Sequence, residues 1–306
     1  MKNRFKGLIL IVAAMISMKS WAQQEPQFTQ SFDNMIYVNP AYAGSRGMMN
    51  ITDINREQWV GFDGNPRSTT ISLNSPVFNE SFGAGLSFVN DQVGPVKQSM
   101  LFADFAYNIK VNNKGGRLAF GLKGGMNMIN ISTASLVTTD PNDPNLIANV
   151  RNRINPNFGF GMFYHSSKWY VGVSTPKMLQ KSYDGISTTN VEQRHYYGIL
   201  GGIIRLNDMW KLKPTSQVRV TPGSPINVDL SLAALYNDRF WFGGLYRLNA
   251  AYGAFVQVQV TPQFKIGLAS DFDTGNIRSY NTGSFELLAS YDFTFKKEGI
   301  RSPRYF

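Results

Sequence analysis

Two histidines, His165 and His195, are the only imidazoles in a chain of 306 residues that has no cysteine. Thiol nucleophiles, disulfides and a lipid-modified N-terminal cysteine are therefore excluded, and a serine–histidine pair would have to use one of these rings. Ser166, Ser167 and Ser174 lie near His165 in sequence, so a serine hydrolase is the enzyme class to consider. No third residue can be placed to orient the imidazole, and the triad depends on that geometry. A histidine without a catalytic task is the plainer reading. "DPNDPN" (140–145) and "DFDTGN" (271–276) have the composition of calcium loops but lack the glutamate that closes a twelve-residue loop, so they read as turns. "GAG" (83–85) and "GFG" (159–161) have no following helix to cradle a phosphate, and they read as places where a wall bends or something packs closely. No enzyme signature, cofactor site or metal site emerges.

The elements that would position such residues are strands. Leu101, Ala103, Phe105, Tyr107, Ile109 and Val111 form one face, with Asp104, Asn108 and Lys110 on the other. The same period of two returns at Val228–Tyr236, at Val256–Val260 and at Phe285–Phe295. Segments of this kind fall near 48–59, 68–75, 82–91, 98–111, 117–131, 156–165, 169–175, 194–205, 210–220, 226–236, 240–248, 251–260, 264–272 and 284–295. The first two are the weakest, because "MMNITDINREQW" is mostly polar on both faces. Many have the 9 to 11 residues with which a tilted strand crosses a bilayer.

A soluble sandwich or propeller would also alternate, so the connections carry the distinction. Every second one is short ("NNKGG", "SSK", "LND", "NDR", "TPQ"), and the set between them includes the long segments 132–155 and 176–192. Short turns at one end and long loops at the other predict an all-β fold, a transmembrane outer-membrane β-barrel of about 14 antiparallel strands with periplasmic turns and extracellular loops. Both termini are then expected on the periplasmic side. Trp169, Tyr170, Trp210, Phe240–Phe242 and Phe264 follow the short turns and are expected to form an aromatic girdle there.

The first residues set the compartment. Lys2, Arg4 and Lys6 precede an apolar run, Leu8–Met15, and then small residues up to Ala22, the order of a signal peptide over 1–22. A retained anchor helix competes, but the run is shorter than a membrane span. Removing Lys2, Arg4, Lys6 and Lys19 lowers the net charge from +10 to +6, with no basic stripe, so nucleic acid is not an expected partner. An anionic membrane surface or an acidic partner fits better. The predicted domains are 1–22 signal peptide, 23–47 N-terminal periplasmic or plug segment, 48–295 barrel, and 296–306 periplasmic tail. Residues 23–45 are irregular yet aromatic. Phe28, Phe32, Tyr37 and Tyr42 are candidate anchors against the lumen wall or a partner, and in the tail Tyr305 and Phe306 are candidates for affinity toward an acidic periplasmic protein.

"PQFTQSFDNMIYVNPAYAGS" resembles the start of the mature PorP/SprF family of type IX secretion system membrane proteins. The likeness continues in order through "NREQW", "NFGFGMFYHSSKWYVGVSTPKML", "HYYGILGG", "LKP", "PINVDLSLAALYNDRFWFGGLYR", "FKIGLASDFD" and the terminal "SPRYF". Where the family often reads "GSHE", this chain has "GSFE", with Phe285 in the histidine's place, so no role of that histidine carries over. The resemblance implies a non-enzymatic outer-membrane component of type IX secretion. Its implied partners are outer-membrane lipid, other secretion components and exported cargo with C-terminal sorting domains, including gliding adhesins. A diffusion channel or hydrophobic-solute transporter remains the alternative, because fourteen strands can enclose a lumen.

Overall fold

The structure, a computed structural model, describes residues 25–78, 80–112, 115–132, 149–183 and 191–293. Alternation becomes a closed wall of fourteen antiparallel strands. They are β1 (Met49–Glu57), β2 (Arg67–Val77), β3 (Phe82–Val93), β4 (Val96–Lys110), β5 (Arg117–Ile131), β6 (Val150–His165) and β7 (Trp169–Thr175). Next comes β8 (Tyr196–Gly202, resumed as Ile204–Arg205 beyond a break at Ile203). The circuit continues with β9 (Trp210–Val220), β10 (Asn227–Tyr236), β11 (Phe240–Arg247), β12 (Ala251–Gln259), β13 (Phe264–Asp273) and β14 (Ser284–Phe293). Each strand pairs with the next, and β1 closes on β14 from Met49 opposite Phe293 to Glu57 opposite Phe285. Closure leaves no free sheet edge, which a bilayer requires because it offers no water to unpaired backbone groups.

The pleat sorts the side chains. On β4, Leu101, Phe105 and Tyr107 are about half exposed on the outside, while Asp104 and Asn108 point inward and are buried. The polar β1 and β2 are ordinary members of the wall, with Asn50, Thr52, Ile54 and Arg56 turned inward. The short turns use the backbone geometry that hairpins need: between β10 and β11, Asn237 (φ 49°) and Asp238 (φ 52°) both take the left-handed conformation.

The period of two also splits the expected girdle. Trp169, Trp210, Phe240 and Phe242 face outward, with Trp169 against Tyr164 and Trp210 against Tyr236, each at 4.8 Å between ring centres. Tyr170 and Trp241, next in sequence to girdle members, instead face the lumen and are buried. Consecutive strand residues cannot share a face, so the girdle takes alternate aromatics only.

Candidate functional site

Residues 25–48 lie inside the barrel. They form no strand; three single-turn 3-10 helices (Ser31–Asp33, Met35–Tyr37, Pro40–Tyr42) fold them into a compact coil, the last capped by the Asn39 side chain on the Ala41 amide at 3.0 Å. The coil descends from the loop end along β13 and β14, crosses the lumen to β6 and β7, and returns to β14 at the turn end, where β1 begins. β14 ends on the short-turn side, as expected of the C-terminal end of the wall. Glu25, the first described residue, stands at the loop end, and from there the chain traverses the lumen before its first strand.

Irregular backbone at membrane depth must have its polar groups satisfied by protein, and the wall does this residue by residue. Glu286 on β14 accepts from the amides of Thr29 (2.5 Å) and Gln30 (3.0 Å). Asp271 on β13 accepts from the Thr29 hydroxyl at 2.7 Å, and Arg56 on β1 bridges both carboxylates, 2.7 Å from Glu286. Asp33 takes Gln257 at 2.8 Å and Lys265. Further along, Lys123 donates to the Ile36 carbonyl (3.2 Å) while paired with Asp104 (2.8 Å). Ser174 donates to Val38 (2.8 Å), Asn39 to Met162 (3.1 Å), and Asn74 accepts from Gly44 (2.6 Å). At the turn end Arg46 pairs with Asp292 at 3.1 Å. Buried charges of this kind are tolerable because each is paired and hydrogen-bonded.

Close approach needs the wall's glycines. A Cβ on Gly83 would lie 2.0 Å from the Ala43 carbonyl oxygen, and one on Gly121 would lie 2.2 Å from the Ala41 nitrogen. "GAG" and "GFG" are thus contact points: Gly85 faces Ile36 and Gly161 faces Asn39. Met35, Ile36, Ala41, Tyr42 and Ala43 share one apolar cluster with Phe163, Tyr170 and Ile199 of the wall.

At the mouth, Glu25 is held by Lys177 (2.9 Å) and by the Tyr197 hydroxyl (2.7 Å), and Lys177 also pairs with Glu192 (2.8 Å). Burial alone would raise the Glu25 carboxyl, but Lys177 and its neighbours hold it well below the usual carboxylate range. Burial pushes the His195 imidazole below its ordinary value even though Glu25 lies 3.8 Å away, so at neutral pH the ring is uncharged and Lys177 is the cation of the clasp. Beside this clasp is a cavity of about 360 Å³, lined among others by Glu25, Trp59, Asp91, Arg247 and Asp273.

The residues singled out in the sequence land as follows. Phe28, Phe32 and Tyr42 are buried in the coil and Tyr37 is half-buried; Phe28 meets Tyr37 edge-on at 6.3 Å and Tyr42 meets Phe163 at 5.5 Å. Tyr305 and Phe306, residues 1–22 and "DPNDPN" lie outside the described residues. His165 sits in the lumen near the turn end with Nε2 unbonded, whereas His195 is at the mouth, so the structure separates the two rings. The nearby serines are engaged elsewhere: Ser166 with the Trp169 carbonyl and Ser174 with Val38. Phe285, in the family's histidine position, faces outward, while its neighbour Glu286 faces the coil. Asp271, where the predicted strand 264–272 overlaps the turn-like "DFDTGN", is a strand residue of the clamp; Arg56, Asp271 and Glu286 were findable only as inward polar positions of their strands.

A family model for the type IX secretion system membrane protein PorP/SprF matches residues 20–291. Among solved structures, the CymD monoaromatic hydrocarbon channel is similar with a TM-score of 0.53 at 13% identity, over 86% of this chain and 93% of that one. Omp33 of Acinetobacter baumannii is similar with a TM-score of 0.47 at 7% identity, over 80% of this chain and 98% of that one. At such identity the CymD likeness concerns the fold alone. Comparison with curated protein sequences gives no match.

Proposed function

The chain belongs to the PorP/SprF family of type IX secretion system membrane proteins, and from that premise we propose that it is a non-enzymatic docking barrel, assisting secretion or surface attachment of cargo with C-terminal sorting domains. One observation carries this reading: the lumen is taken up by the chain's own residues 25–48, clamped to the wall by paired charges. A diffusion pore needs a free path lined for its solute. A barrel whose interior is committed to holding a segment in place offers rigid surfaces at its two ends instead.

In this reading Phe28, Phe32, Tyr37 and Tyr42 are anchors that fix the coil, and the cavity beside Glu25 is the extracellular face offered to cargo. The tail residues Tyr305 and Phe306 are the contacts offered to a periplasmic component. The test is affinity capture of the tagged protein, expressed at native level, from gently solubilised outer membranes, followed by mass spectrometry. Recovery of type IX components, or of an exported protein bearing a sorting domain, is the expected result. Recovery of the barrel alone would count against it and direct attention to the channel alternative.

A further inference from the structure

The outer wall contains one feature that neither the coil nor the secretion role explains. Asp53 is the central residue of the nine-residue strand β1, and its side chain points outward, since its neighbours Thr52 and Ile54 are buried in the lumen. Asn55 donates to Asp53 Oδ2 at 2.6 Å and Thr69 on β2 donates to Asn55 at 2.8 Å, making a polar ladder across the β1–β2 face. Asp53 Oδ1 accepts no hydrogen bond and is enclosed by its neighbours, while the residue as a whole is half-buried. The outward residues paired beside it are apolar, Ala289 on β14 and Ile71 on β2, with Leu287 opposite Asn55. Among the described residues no other strand places a carboxylate outward at its middle.

At that height the surroundings of a lone barrel are lipid chains, which donate nothing to a carboxylate. An ionisable residue there is costly and marks a functional contact. We propose that the β1–β2 outer face seats a second, different integral membrane protein, one that presents a Lys, Arg or amide donor to Asp53 at mid-membrane. A second copy of this chain is disfavoured by symmetry: a two-fold axis along the membrane normal would set Asp53 against Asp53 at the same depth, like charges in a poor dielectric. The proposal needs only the membrane barrel and stands whether or not the protein handles cargo.

The test is photo-crosslinking in native outer membranes, with a photoreactive residue placed at Ile71 and, as control, at Leu200 on β8 across the barrel. The expected result is a discrete adduct with another integral membrane protein from position 71 and none from 200. The adduct should fall at least tenfold in Asp53→Leu, while the purified variant keeps heat-modifiable migration and resists denaturant as well as the parent. Asp53→Asn, which keeps the shape and removes the charge, repeats the reading if the leucine variant fails to fold. Lipid adducts alone, an adduct with a second copy, the same adduct from both positions, or an adduct that survives both substitutions would overturn the proposal.

Discussion

Glu25 and His195 make the mouth of the barrel sensitive to acid. Glu25 has a folded-state value lowered below its ordinary 4.5, so its contribution is complete above the carboxylate range and is lost as pH falls through the lowered value. His195 is lowered from 6.5, so the neutral imidazole contributes fully above that pH and less below it. Both effects have the same sign. A spin label on a cysteine introduced at Pro26, in a chain with no native cysteine, should be immobile at neutral pH and become mobile as the pH is lowered through the acid range. Lys177→Ala should free it at neutral pH already, because Glu25 and Glu192 would then lose their shared cation. A label that stays equally immobile across the range would show that the clasp does not hold the start of the coil. None of this was legible beforehand, since Glu25, Lys177 and Glu192 are far apart in sequence and no periodicity links them.

At the scale of elements, the strands were legible and the coil's path was not. Alternation places every wall residue on a face, so the fourteen segments read from the sequence coincide with the observed strands to within a few residues at most ends. β1 and β2 looked doubtful because both faces are polar: the inward set, Asn50, Thr52 and Arg56, serves the lumen, and the outward set contains Asp53 and Asn55. β6 begins at Val150, several residues before the predicted start, because its first turn of alternation is hidden among polar residues. Residues 25–48 have no period, and their partners, Glu286, Asp271 and Asp292, are more than 240 positions away. The glycines of β3 and β6 were recognisable as points of close approach, although what approaches was not; Gly121 on β5, which makes the same kind of contact, was not singled out. Filling one tests the packing: Gly121→Leu should collide with the Pro40–Tyr42 turn of the coil at Ala41, destabilise the folded barrel by about 1–3 kcal/mol, and lower its denaturation midpoint. An unchanged midpoint would mean that the coil yields without cost.

At the scale of the whole molecule, a fourteen-strand wall could enclose a water-filled passage, and this chain uses that space for itself. Many of the charges that line the interior are paired with the coil or with each other: Arg56 with Asp271 and Glu286, Lys123 with Asp104, Arg247 with Asp229 at 3.0 Å, while Lys213 lies over the Trp241 ring. These pairs stabilise an ordered interior. A closed cylinder in the outer membrane, its interior occupied by residues 25–48 and a polar ladder on one side, is what the proposed docking role requires. The single-channel conductance of the purified intact chain in a planar bilayer tests that account most directly. Insertion without steady conductance is the expected result; a stable ohmic current from the intact protein would contradict the docking role and place the barrel among the channels.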